Sequence, residues 1–235
     1  MTLTPEKAEI IGAMLGDKIR FGFFKRYGSW TRSKKPRGIL EICLGSNGAW
    51  GKHLSDLTFR AYGLRGCTYG VKKIPPRKTE WRFTISSPRV VQDLLPYFDP
   101  VWRSRTWQVA SAFFEAQNKI VEGLLRGYMD ADGFVHTSNT RGVRVESVNK
   151  NGLLDIQVLF AKLGIESTIY PRRSRRAWTL QISRKYNVSS YRRLVGFSLN
   201  HKAQALNAIC SIYEQCPRFK SLRARHHSTD SVYDF

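Results

Sequence analysis

The chain has 235 residues with 39 Lys and Arg against 18 Asp and Glu, a net charge of +21 and an isoelectric point of about 10.2. This balance favours a polyanionic partner over small neutral substrates, and 42% hydrophobic with 12% aromatic residues is enough for a real core, unlike a disordered basic tail or a histone-like arm. No apolar run approaches the ~18 residues of a membrane span, the N-terminus lacks a signal-peptide layout, and Cys43, Cys67, Cys210 and Cys216 form no C-x-x-C pair. We therefore expect reduced thiols, neither zinc site nor membrane contact, and a cytoplasmic or nucleoid location, or an organellar one in a eukaryotic host.

In chain order, Thr4 caps a first helix with Pro5 in its first turn, and the helix runs to Asp17. Strands are predicted around Phe21 to Lys25 and Ile39 to Leu44, a helix over Gly51 to Tyr62, strands near Thr68 to Lys73 and Trp81 to Ser86, and a helix from Val90 to Tyr97. An additional helix is predicted from Thr106, and another from Asn118. The order then repeats: strands at Phe134 to His136, Arg144 to Val148, Ser167 to Tyr170 and Trp178 to Ile182, with helices at Leu153 to Leu163, Val188 to Leu194 and Lys202 to Glu214. The basic stretch from Pro217 onward lacks a period and reads as a flexible extension.

The repetition extends to individual residues. Ile10-Ile11-Gly12-Ala13-Met14-Leu15-Gly16-Asp17 recurs as Leu125-Arg126-Gly127-Tyr128-Met129-Asp130-Ala131-Asp132-Gly133. In each copy a Gly is followed four positions on by another small residue, Gly16 or Ala131, and then by an aspartate. Residues four apart share a helix face, so each copy offers a bare stripe against which another backbone can pack. Stripe against stripe would set Asp17 beside Asp132 at two helix C-termini, where the negative dipole ends disfavour carboxylates unless a cation is present. Mg²⁺ suits such a pair, because it is typically held by one or two carboxylates plus water and phosphate oxygens. Asp130 has Leu15 as its counterpart, so symmetry leaves it a local hydrogen-bonding role. Further echoes follow in the same order: Trp81-Arg82-Phe83-Thr84-Ile85-Ser86 with Trp178-Thr179-Leu180-Gln181-Ile182-Ser183, and Gly63 with Gly164. We expect halves at residues 1–100 and 118–216, a connecting segment at 101–117 and a tail at 217–235.

The two motifs, the repeat and the strand order resemble the single-chain, two-motif LAGLIDADG homing endonucleases. The resemblance implies an α+β fold of two αββαββα units about a pseudo-two-fold axis, with the motif helices at the interface and antiparallel sheets forming a saddle on duplex DNA. It also implies a monomeric, intron- or intein-encoded nuclease that cuts both strands of a long site to leave short 3′ overhangs. Mg²⁺ would be its cofactor, with Mn²⁺ substituting and Ca²⁺ supporting binding without efficient cleavage.

Carried over residue by residue, Asp17 and Asp132 would hold metal, with Gly16 and Ala131 beside them in the metal-binding set. Asn149 and Lys150 follow the second strand of the second half, where the family orders water and stabilises phosphate charge; the first half offers Gly45 and Ser46 there. Lys202 would be the basic residue near the cleavage centre, with Arg105 its nearest first-half equivalent. Lys18 stands where a glycine is usual and is a further catalytic candidate. For DNA we single out the polar strand faces, Arg82, Thr84, Arg144, Glu146, Thr179 and Gln181, opposite an apolar set that includes Trp81 and Trp178. The basic residues of strand ends and loops join them: Arg20, Lys34, Lys35, Arg37, Lys72, Lys73, Arg77, Lys78, Arg172, Arg173, Arg175 and Arg176. Besides the nuclease, the pattern admits a splicing maturase bound to its intron RNA, and a DNA-binding protein with a degenerate nuclease core.

Overall fold

The computed structural model describes residues 2–24, 37–45, 48–72, 79–98, 104–138, 141–172 and 176–215. Helix α1 (Pro5–Asp17) leads into β1 (Lys18–Phe24) and β2 (Arg37–Gly45), then α2 (Ala49–Tyr62), β3 (Cys67–Val71), β4 (Glu80–Ser86) and α3 (Pro88–Leu94). After one helical turn, α4 (Ala112–Glu115), the pattern repeats as α5 (Asn118–Ala131), β5 (Gly133–His136), β6 (Gly142–Ser147), α6 (Lys150–Lys162), β7 (Thr168–Arg172), β8 (Ala177–Ile182), α7 (Lys185–Leu194) and α8 (Asn200–Gln215). The described strands form two antiparallel four-stranded sheets of the same topology, β1-β2-β4-β3 and β5-β6-β8-β7. The α+β class and the repeated strand order therefore stand as read from the sequence.

Alternation explains which sheet face meets the helices. Leu40, Ile42, Phe83 and Ile85 of the first sheet and Val143, Val145, Leu180 and Ile182 of the second are buried, so their neighbours in sequence point to the opposite face. Trp81 and Trp178, expected in the core, are only half-buried. Trp81 packs at Gly48, and Trp178 lies under the Lys150 ammonium, 4.5 Å from its ring centroid. Gly63 and Gly164 both close their helices with left-handed backbone, at φ 69° and 71°.

The predicted helix from Thr106 is a correction. Residues 104–111 are not α-helical, and α4 spans a single turn. The reason lies on α6, whose side chains take up backbone groups that a helix would otherwise satisfy. The Asn149 amide donates to the Trp107 carbonyl (2.5 Å), Val109 N–H donates to Asp155 (3.0 Å), and Lys162 donates to the Phe114 carbonyl (2.6 Å). The helix predicted to reach Tyr97 also tightens into a 3₁₀ turn over Leu95–Tyr97, where Pro96 has no N–H to continue α3.

The two halves meet through α1 and α5. A Cβ added at Gly12 would lie 2.8 Å from Tyr128 N, and one at Gly127 would lie 2.8 Å from Ala13 N. Each would press still harder on a carbonyl of the facing helix, that of Leu124 or of Glu9. This reciprocity is the internal two-fold seen at atomic scale, and it requires glycine at both positions. Beside it runs an ion pair with no symmetric copy: Glu9, 5% exposed, meets Arg126 at 3.1 Å and His53 at 2.5 Å.

Candidate metal centre and nucleic-acid interface

Because Gly16 and Ala131 touch where α1 and α5 end, the next residue of each helix emerges at the same place. A Cβ at Gly16 would sit 3.3 Å from the Asp132 carboxyl carbon. Burial raises the pKa of Asp17, against the lowering influence of Lys202 and with Glu80 adding repulsion. Asp132 keeps an edge open to solvent but is otherwise hemmed in by protein; burial first, and then the Asp17 charge, push its pKa up to about 7, against Lys202. Both carboxyls are thus held above the usual carboxylate range, Asp132 under the added repulsion of Asp17.

Lys202 of α8 is a cation whose field reaches both aspartates. Its ammonium donates to the Asp130 carbonyl (2.6 Å) and the Met129 carbonyl (3.3 Å) at the end of α5. Burial lowers its pKa, opposed by Asp130, Asp132 and Asp17. Asp130, 1% exposed, builds the support: its carboxylate accepts from the N–H groups of Ser198 (3.1 Å) and Leu199 (3.4 Å) and from the Ser198 hydroxyl. It therefore pins the turn that launches α8 and sets where Lys202 falls. Ser198 carried no sequence signal for this role, since it lies on an irregular turn between α7 and α8.

The other catalytic candidates separate. Asn149 is a correction: it is 3% exposed, its side-chain oxygen caps α6 by accepting from Gly152 N–H (3.2 Å), and its amide is held by Trp107. Such a side chain is committed to the fold and covered from solvent. Lys150 is exposed and stacks on Trp178. Arg105 is exposed in a turn. The Lys18 side chain and Ser46 lie outside the described residues.

Among the described residues no group of three or more His, Cys, Asp and Glu side chains is arranged to hold a metal. Two carboxylates that repel each other, with one open edge, still fit Mg²⁺, which keeps waters and takes substrate phosphate oxygens for its other positions.

The helix-free sheet faces carry the candidate DNA contacts. On the first, Arg20 stacks on Phe24 (4.9 Å), Arg37 and Lys72 are exposed, and Thr84 is half-buried. Arg82 is held by Glu41 (2.8 Å) and Glu80 (2.9 Å), and Tyr69 donates to the same Glu41. On the second, Arg144 is half-buried, Arg172 pairs with Glu146, Arg176 is exposed, and the Tyr170 hydroxyl donates to the Gln181 side-chain oxygen (2.9 Å). Thr179 is a correction: at 2% exposure, with Glu146 and Tyr170 flanking it in register, it is covered and presents nothing to a groove. Glu41, Glu80, Tyr69 and Tyr170 were missed, although strand parity alone puts Glu41 on this face between Leu40 and Ile42. Lys34, Lys35, Lys73, Arg77, Lys78, Arg173 and Arg175 lie outside the described residues.

The LAGLIDADG-like domain family matches residues 119–196, the stretch that holds α5, Asp132 and the second sheet. The fold is also that of I-DmoI, whose complex with DNA and Ca superposes at a TM-score of 0.60, with 16% identity, over 88% of this chain and 100% of that one. Over its second half the chain is thus similar to LAGLIDADG-like domains. I-WcaI bound to its DNA recognition sequence gives a TM-score of 0.56 at 14% identity, covering 88% of each chain. Among curated proteins, the chain is 39% identical over 104 residues to a "Probable translation initiation factor IF-2" of Thermococcus kodakarensis, covering 44% of this chain and 9% of the relative. It is 30% identical over 108 residues to the DNA-directed RNA polymerase subunit Rpo1C of Methanocaldococcus jannaschii, covering 46% and 12%. The match thus spans about a tenth of these relatives' length.

Proposed function

We propose that this protein is a DNA endonuclease that hydrolyses one phosphodiester in each strand of a long duplex site, leaving 3′ overhangs and requiring a divalent metal. The observation that carries the reading is the convergence of Asp17, Asp132 and Lys202 where two packed helices end. When bound, the metal supplies an activated water and neutralises charge on the scissile phosphate. Asp17 and Asp132 hold it. Lys202, anchored on the α5 carbonyls, would offer its ammonium to the charge of the scissile phosphate. The internal two-fold brings both strands' cleavage into one chain, so the protein acts as a monomer. Crystal structures of I-DmoI with DNA and Mn and with DNA and Ca support a divalent ion on this fold. The alignments to a translation factor and a polymerase subunit, each over a small part of a long chain, support a mobile element carried inside host genes.

The test uses a supercoiled plasmid carrying the junction sequence that flanks the protein's own reading frame. With Mg²⁺ the unmodified protein gives linear DNA with 3′ overhangs, whereas Asp17→Asn and Asp132→Asn each lose double-strand cleavage by at least about 100-fold and still bind. Linear product from either Asn variant removes that aspartate from the metal site. Uncut plasmid with the unmodified protein removes the nuclease reading.

A further inference from the structure

The place of Lys202 is set by the connection between α7 and α8, and each residue of that connection is tied down. Val195 closes α7, and its carbonyl accepts from Arg126 Nε (2.7 Å). The Gly196 carbonyl accepts from the Tyr191 hydroxyl (3.0 Å), and Phe197 lies edge-on against the Tyr191 ring, 5.5 Å between centroids. Ser198 and Leu199 donate to Asp130. Lys202 follows in the first turn of α8, its ammonium 5.7 Å from the Phe197 ring centroid.

Two of these ties come from α5. Arg126 and Asp130 lie four positions apart, on one helix face, and grip the connection at its two ends. The first motif helix has Ile11 and Leu15 at the corresponding positions, whose side chains cannot form such a clamp. Arg126 also reaches into the other half: its Nη1 donates to Glu9 of α1 (3.1 Å), and Glu9 is held from behind by His53 of α2 (2.5 Å). A guanidinium is planar and rigid, so the donor aimed at Glu9 and the donor aimed at Val195 cannot turn independently. A displacement of Glu9 is therefore carried to the α7–α8 connection. Fastening the halves together does not require this arginine, because α1 and α5 already meet backbone to backbone at Gly12 and Gly127.

We propose that Arg126 is a positioning residue for Lys202, and that through it Glu9, in the half that does not carry Lys202, sets where the ammonium stands. The inference rests on the nuclease reading in so far as that reading gives Lys202 its task. Asp130 fixes the far end of the connection from within the second half; Arg126 fixes the near end and makes it answer to the first.

Hydrogen exchange, resolved amide by amide by NMR in protein free of metal and DNA, reads the coupling directly. The variants are Glu9→Gln and Arg126→Lys, the latter keeping a cation beside Glu9 on a single nitrogen that cannot reproduce two spaced donors. In both, the amides of Ser198 and Leu199 exchange faster by on the order of 3- to 10-fold, while those of β6 and β8 keep their rates. Both variants bind duplex DNA in Ca²⁺ as the unmodified protein does, and their single-turnover cleavage in Mg²⁺ slows by the same order. Unchanged exchange at Ser198 and Leu199 overturns the proposal. So does faster exchange throughout the second half, which would make Arg126 a brace of the fold with no particular hold on Lys202. A response to Arg126→Lys without one to Glu9→Gln overturns the part assigned to the first half. Cleavage that keeps its rate although the two amides respond overturns the link to Lys202. If the amides respond as expected and the unmodified protein cuts nothing, it is the nuclease reading that falls.

Discussion

Asp17 and Asp132 are equivalent by repeat, and burial raises the pKa of both, that of Asp132 to about 7 with the Asp17 charge adding to it. The consequence for stability has a definite sign. A carboxyl held near 7 in the folded chain against 3.8 unfolded imposes no penalty at low pH, where both forms are protonated; the penalty grows as pH rises from 3.8 and is complete once pH has passed about 7. Metal-free protein should therefore melt lower at pH 8 than at pH 5, and Asp132→Asn should remove much of that difference; thermal unfolding in chelator measures it. Added Mg²⁺ should raise the melting temperature more at pH 8 than at pH 5, since it must displace the proton below neutrality. A metal effect independent of pH would place the ion elsewhere. At this scale the two acids were legible because they recur with their small-residue stripes. The true role of Asn149 was not, since its partner Trp107 lies 42 positions away, and an Asn before a helix reads alike as a cap or as a polar site residue.

Among the elements, α1 and α5 tolerate the least change. Gly127→Ala and Gly12→Ala each force a methyl group onto the facing backbone, where no side chain can swing aside. Overpacking of this kind costs about 1 to 3 kcal/mol, and more where only backbone can give. Chemical denaturation should show the loss, with cleavage falling alongside because the same displacement parts the aspartates. Asn149→Ala offers the contrast. It removes a buried cap and strands the Trp107 carbonyl, a loss of about 1 to 3 kcal/mol, yet plasmid cleavage per folded molecule should be kept. If cleavage instead vanishes while the melting temperature holds, Asn149 belongs to the chemistry. Periodicity fixed the existence of nearly every element, the exceptions being those decided by other parts of the chain. Residues 104–111 read as the start of a helix, but Asn149 and Asp155, at the cap and on the body of α6, claim their backbone.

For the whole molecule the governing quantity is the net charge of +21. Binding to duplex DNA should weaken linearly in log salt, with a slope of roughly −0.9 per phosphate neutralised. Arg37, Lys72 and Arg176, exposed at strand ends, should each reduce that slope when changed to Ala. Arg172, already paired with Glu146, should reduce it less. Equal effects from all four would mean that the Glu146 pair opens on DNA. The bias of charge was plain from composition. The internal acid pairing that sorts clamping cations from fixed ones depends on strand register, which composition does not contain.

The Glu9–Arg126 pair also bears on how a duplicated chain stays in one piece. By repeat, Glu9 corresponds to Leu124 and Arg126 to Ile11. Were α5 to pack on a second α5, each Arg126 would face a leucine where Glu9 now stands; were α1 to pack on a second α1, each Glu9 would face an isoleucine. Either self-pairing buries unmatched charge, a cost of several kcal/mol. The glycine stripes alone fit like against like as well as like against unlike. The ion pair breaks that degeneracy, so the two halves are lock and key and chemically committed to each other.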